Sequence, residues 1–116
     1  MTFADLELKV IEWAKDRLIF EGSNPQAQFE KLVEELHELA TALDMKMVEG
    51  VPFPNNEKEW KIDLNPAIDA IGDMMVVLTM ISRMIKSDLF TCYASAYLEI
   101  KDRKGKMIDG VFVKEQ

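Results

Sequence analysis

The stretch "IDAIGDMMVVLTMI", residues 68–81, limits what this chain can fold into more than any other. From Met74 onward it is apolar on nearly every side of a helix, so it must lie at the centre of a bundle or be sandwiched by partners. Three short neighbouring helices cover such an element poorly, and a homo-oligomer that completes the bundle across subunits is expected. The run after Asp73 is far too short to span a bilayer. Two aspartates, Asp69 and Asp73, enter it four residues apart and share a face. An unpaired carboxylate buried there would cost several kcal/mol at least, so Asp73 must be protonated, paired or bound to metal. The nearest base in the segment is Arg83, almost three turns away. The plainer reading puts Asp73 at the mouth of the bundle, hydrogen-bonded to solvent or a loop.

The rest of the chain reads as one domain, 1–116, with helices divided by clear punctuation. Thr2 caps a first helix to about Phe20, with Phe3, Leu6, Val10, Ile11, Ala14 and Leu18 on its apolar face. Asn24 and Pro25 open a second helix that ends before Gly50, with Phe29, Leu32, Val33, Leu36, Leu39, Ala40 and Leu43 on one side. "GVPFPNNEKEWKIDLN" reads as a polar connection with one helical turn around Glu57 to Lys61. Asn65-Pro66 starts a third helix to about Lys86, and Ser87 caps a fourth that stops at Gly105. The tail from about 105 to 116 carries Asp-Gly between apolar runs, a hairpin signal. The expected fold class is therefore all-α, a four-helix bundle with a short C-terminal β-hairpin, assembled as a homodimer or homotetramer.

Composition excludes several functions. With 21 acidic and 14 basic residues the chain carries a formal charge of −7, which argues against a nucleic-acid polymer as partner. A small phosphorylated ligand is compatible with that charge if metal cations come between. The N-terminus "MTFADLELKVIEWAK" has neither the basic flank nor the apolar core of a signal peptide. The single cysteine, Cys92, makes no internal disulfide, and a cytoplasmic protein with no membrane association is expected.

The chemistry lies in the carboxylates. "KLVEELHEL" places Glu34, Glu35 and Glu38 on one surface, away from the leucine stripe, with only Lys31 near enough to offset them. An acidic helix face is ordinarily solvated. Two acidic faces on consecutive helices, however, pack together only around cations. Oxygen donors without a cysteine or histidine cluster suit Mg2+ or Mn2+.

"KLVEELHEL" followed by "DAIGDMMVVL" resembles the MazG-like nucleotide pyrophosphohydrolases of the all-α NTP pyrophosphatase superfamily, whose pattern is Glu-Glu-x-x-Glu and then Glu-x-x-Asp. Glu34, Glu35, Glu38 and Asp73 match. Ala70 stands where the second glutamate belongs, and Asp69 takes its place from the same face with a shorter reach. The tail "EIKDRKGKMIDGVFVKE" extends the likeness to small phage-type members, although the 50–65 connection is longer than theirs. The resemblance implies hydrolysis of a nucleoside triphosphate to the monophosphate and pyrophosphate. Glu35, Glu38, Asp69 and Asp73 would be metal ligands, and Glu34 would orient or deprotonate the attacking water or stand behind the ligands. Lys31, Lys101, Arg103 and Gln28 are the expected substrate contacts. For Lys101 and Arg103 the plainer reading is a basic helix end complementing the dipole, and for Gln28 a solvated side chain. Relatives often carry asparagine near Leu98. Trp13, Phe53 and Trp60 could stack on a base, or simply anchor core and loop.

Two other readings compete. "EELH" has the Glu-x-x-His spacing of a di-iron bundle at Glu34 and His37, but His37 is the only histidine. An acidic helical oligomerisation or regulatory module without chemistry is the other. Base and sugar preference are not legible in the sequence.

Overall fold

The computed structural model describes residues 1–56 and 58–115. Helix α1 (Phe3–Asp16) starts as expected: Thr2 Oγ1 accepts from Asp5 N at 3.1 Å, and the Asp5 carboxylate accepts from Thr2 N at 2.9 Å. It stops earlier than its apolar pattern suggests. Leu18 takes a left-handed conformation, φ 58°, and a one-turn helix α2 (Ile19–Gly22) follows. Asn24 Oδ1 then caps helix α3 (Pro25–Ala42) through Ala27 N at 2.8 Å.

From Ala42 the structure departs from the sequence reading. Strands β1 (Met45–Val48) and β2 (Val51–Pro54) form an antiparallel hairpin where helix and then connection were expected. Its turn, Glu49-Gly50, has φ 50° and 80°, the positive pair that a two-residue type I′ turn requires. Pro52 and Pro54 do not break it. Val48 and Val51 flank the turn as a hydrogen-bonded pair, so alternation puts both prolines, opposite Met47 and Met45, at positions that donate nothing. The next bonded position is filled, with Asn55 N donating to Asp44 O at 3.0 Å. The helical turn expected at 57–61 falls partly on Glu57, outside the described residues, and 58–61 hold no helix.

Asp63 N donates to Ala42 O at 2.9 Å, returning the chain to the end of α3, and α4 (Leu64–Met84) packs along that helix. Asp63, rather than Asn65, is the N-cap, and Pro66 sits in the first turn, where its missing N–H is no loss. Asp88, not Ser87, caps α5 (Leu89–Ile100) by accepting from Thr91 N at 2.7 Å. Glu7 of α1 also accepts from Leu89 N, at 2.8 Å. Strands β3 (Gly105–Ile108) and β4 (Val111–Lys114) close the chain around Asp109-Gly110, φ 50° and 82°, as the Asp-Gly signal predicts.

Among the described residues the fold is thus mixed: five helices, one of a single turn, and two separate two-stranded antiparallel sheets. The expectation of an all-α bundle is overturned by the β1–β2 hairpin, while the C-terminal hairpin stands.

The core lies where α3 and α1 meet α4. Its buried apolar residues are Ile11, Ala14, Ala40, Ala42, Ala67, Ala70, Val77 and Met80; five of the eight are alanine, so it holds little volume. Helix α4 is long and apolar enough, by length and composition, to cross a membrane, which the sequence reading of its apolar run denied. It carries two aspartates and buries Ala67, Ala70, Val77 and Met80 against its neighbours, although only 28 % of its apolar window is buried within the chain. The accessible surface is 9095 Å², against about 6,500 Å² for a compact monomer of 13.3 kDa. The radius of gyration, 16.8 Å, likewise exceeds the roughly 13 Å of a compact domain this long.

Candidate metal centre

Three carboxylates converge between α3 and α4. One oxygen each from Glu35, Glu38 and Asp73 lies within 4.8 Å of the others. Glu35 and Glu38, three apart on α3, share a face, and Asp73 meets them from α4. At that separation each fully ionised pair repels by roughly 3 kcal/mol before solvent screening, taking an effective dielectric of about 20.

Burial is distributed unevenly over the trio. Asp73 is exposed, the mouth-of-bundle alternative rather than the buried one, whereas Glu35, expected on a solvated face, is 4 % exposed. The line of α3 that faces α4 runs through Gln28, Glu35 and Ala42, while Phe29 and Leu36 of the predicted apolar stripe stay exposed. On α4, continuous burial begins at Val77, one turn beyond Asp73, which is therefore left at the edge of an open cleft.

Glu35 Oε1 lies 3.5 Å from Lys31 Nζ, but Oε2 is wholly buried and has no hydrogen-bond partner among the described residues. A buried carboxylate oxygen without a donor is costly, and one exposed lysine cannot neutralise three acids. Lys31 is moreover shared with Glu34, whose Oε2 lies 3.2 Å away. The Glu34 hydrogen bond, with Glu35 behind it, raises the Lys31 ammonium above its ordinary 10.5.

A cleft of about 560 Å³ opens beside the trio, walled by Glu38, Asp63, Asp69 and Asp73, with no lysine or arginine in its lining. Asp69 therefore borders the site without joining the close cluster. Asp63 escaped the sequence reading because it was assigned to a loop. Placing it as the α4 N-cap, one residue before Leu64, would have brought it to this end of the helix.

The remaining predicted residues are not gathered here. Glu34 is exposed, outside the trio and held by Lys31. Gln28 Nε2 donates to Ser23 Oγ at 3.0 Å, and its buried Oε1 has no partner among the described residues. Lys101 lies 3.9 Å from Asp102 at the end of α5, and Arg103 borders a separate depression with Leu98 and Glu99; neither lines the acidic cleft. His37 lines the cleft but lies outside the trio, so the Glu34–His37 pair of the di-iron reading is not assembled with it. Trp13 is covered by Arg17, 4.5 Å above its ring, while Phe53 and Trp60 are exposed on the β2 hairpin strand and the connection after it.

The donor set, carboxylate oxygens around one orphaned buried atom, fits a hard divalent cation. Comparison of the chain with protein-family models, with curated proteins and with solved structures gives no match.

Proposed function

We propose that this protein is a Mg2+-dependent nucleoside triphosphate pyrophosphohydrolase, with Mn2+ as a substitute metal, in the manner of the MazG-like enzymes that its two motifs resemble. The observation that carries the reading is the buried, unpartnered Glu35 Oε2 beside the carboxylates of Glu38 and Asp73. These three would hold the ion, with Asp69 and Asp63 at the rim of the cleft. A divalent cation so held neutralises the polyphosphate and lowers the pKa of a bound water.

The chain's own groups do the rest. Glu34, one turn from Glu38, orients water or takes its proton once Lys31 releases it to the substrate. The water oxygen bonds to the α-phosphorus, the α–β anhydride bond breaks, and the products are a nucleoside monophosphate and pyrophosphate.

Self-association belongs to the same reading. The chain exposes about 2,600 Å² more than a compact monomer of its mass, an excess that a second copy could cover in part. Helix α5 and the β3–β4 hairpin expose Tyr93, Tyr97, Leu98, Met107 and Phe112. In a homodimer or homotetramer built on these surfaces, Lys101 and Arg103 would reach the phosphates from a second copy. The free thiol of Cys92 suits a cytoplasmic setting.

A non-catalytic oligomerisation module is the second reading, favoured by the distance of Lys101 and Arg103 from the carboxylates within one chain. A nucleotide panel with Mg2+ or Mn2+ separates the two. Pyrophosphate release that falls about 10²-fold or more in Glu38→Gln is expected. No release from any nucleotide, or equal turnover by the variant, would favour the module.

A further inference from the structure

A cleft of about 730 Å³ lies at the other end of α3, remote from the carboxylates. Pro25 lines it and is ten residues before Glu35 on α3; Arg83 lines it and is ten residues beyond Asp73 on α4. Ten helical residues span about 15 Å. Its charge runs against the rest of the chain. Lys15 from α1, Arg83 from α4 and Lys86 from the α4–α5 link line it, with Glu21 the only acid among the described residues of the lining. Three cations against one acid give the wall a formal +2 in a protein of −7. Among the described residues, none of the three makes a salt bridge within 4.0 Å or donates a side-chain hydrogen bond. Asp88, whose nearness to Arg83 adds to the lowering of its pKa, is committed to capping α5 through Thr91.

Cations from three segments around one concavity, outnumbering the one acid in its described lining, favour an anion there. The α3 N-terminus opens into the same space and adds its positive dipole end. Lys86, at φ 69°, is the left-handed residue that ends α4: its N donates to Arg83 O at 3.1 Å, and Ser87 N donates to Ser82 O at 2.9 Å. Phe20 and Met84, both half-buried, give the cleft an apolar wall, and its volume exceeds what a lone oxyanion needs.

We infer that this cleft binds a phosphate-bearing small molecule, its phosphate held by Lys15, Arg83 and Lys86 and any organic part lying on Phe20 and Met84. The site does not depend on the metal centre or on the activity proposed above. Its ligand needs no divalent ion, because the protein itself supplies the positive charge.

The test is a titration of the 15N-labelled full chain in EDTA, so that no divalent ion serves the carboxylates. Inorganic phosphate and AMP are the two probes, and sodium chloride of matched ionic strength is the control. Saturable amide shifts confined to the residues around Lys15 and to 20–28 and 83–87 are expected with both. Tighter AMP binding assigns a phosphorylated organic ligand, and equal affinity assigns free phosphate. Arg83→Gln and Lys86→Gln should each weaken binding roughly tenfold or more, the worth of one charge-assisted hydrogen bond. All three cations and Glu21 are exposed, so these changes leave the core intact, and Glu21→Gln should tighten binding. Glu38→Gln should bind as the unaltered chain does, which separates failure here from failure of the metal site. Shifts no different from those of sodium chloride, affinity unaffected by Arg83→Gln and Lys86→Gln, or loss of binding in Glu38→Gln would each overturn the assignment.

Discussion

Helices α4 and α5 are both rich in apolar residues, yet their fates differ. Helix α4 buries Ala67, Ala70, Val77 and Met80 between its neighbours, whereas α5 buries no residue and exposes Phe90, Tyr93, Tyr97 and Leu98. The contrast lies in what each helix has beside it. Asp63 returns the chain to Ala42, which lays α4 along α3, while α5 touches mainly the far part of α4 and leads to a hairpin whose strands are exposed throughout. Charge follows the same division. The packed pair holds Glu35, Glu38 and Asp73, and the uncovered arm ends in Lys101, Arg103 and Lys104. Apolar character alone does not place a helix inside a single chain. An uncovered helix of this composition is where the proposed self-association would be built.

Substitutions can break that contrast. Met80→Ala, at 5 % exposure in the packed layer, should cost about 2–5 kcal/mol in chemical denaturation, while Leu98→Ala in dilute protein should change stability by no more than about 0.5 kcal/mol. Equal losses would mean that the arm is packed within one chain. Tyr97→Glu should shift the oligomer toward monomer, weakening association at least tenfold by light scattering while leaving helix content unchanged. An unchanged oligomer would move the interface elsewhere.

The smallest effect concerns pH. The Thr91 backbone N–H holds the Asp88 carboxyl below its ordinary 3.8, and the Thr2 backbone N–H does the same for Asp5. A carboxylate with a depressed folded pKa contributes its stabilisation above the unfolded value and loses it as pH falls through the folded one. The melting temperature should therefore decline below about pH 4, with α5 fraying in circular dichroism. Asp88→Asn keeps a capping oxygen that does not titrate and should blunt the α5 part of that decline.

Much of this was legible in the chain. Thr2, Asn24 with Pro25, and Asp109-Gly110 announced their caps and turn because each signal is local. Glu49-Gly50 makes the same kind of turn, with φ values within 2° of those at Asp109-Gly110. It was overlooked because glutamate is a poor turn residue and because Pro52 and Pro54 argue against a strand until the register shows them at non-bonded positions. The carboxylate motif foretold Glu35, Glu38 and Asp73 as a group. It misplaced which one is buried, since the rotation of α3 against α4 is set by the alanine contacts and by the Asp63–Ala42 tie, both of which are tertiary. Lys101 and Arg103 were assigned by likeness alone, and nothing local to them fixes where the arm points.

If Glu35, Glu38 and Asp73 share a divalent cation as proposed, Mn2+ binding followed by electron paramagnetic resonance will show it. Saturable binding by the unaltered chain is expected, displaced by Mg2+ and at least tenfold weaker in Glu35→Gln, whose amide cannot replace a buried anionic ligand. Mn2+ bound equally well by Glu35→Gln, or not bound by the unaltered chain, would contradict that proposal.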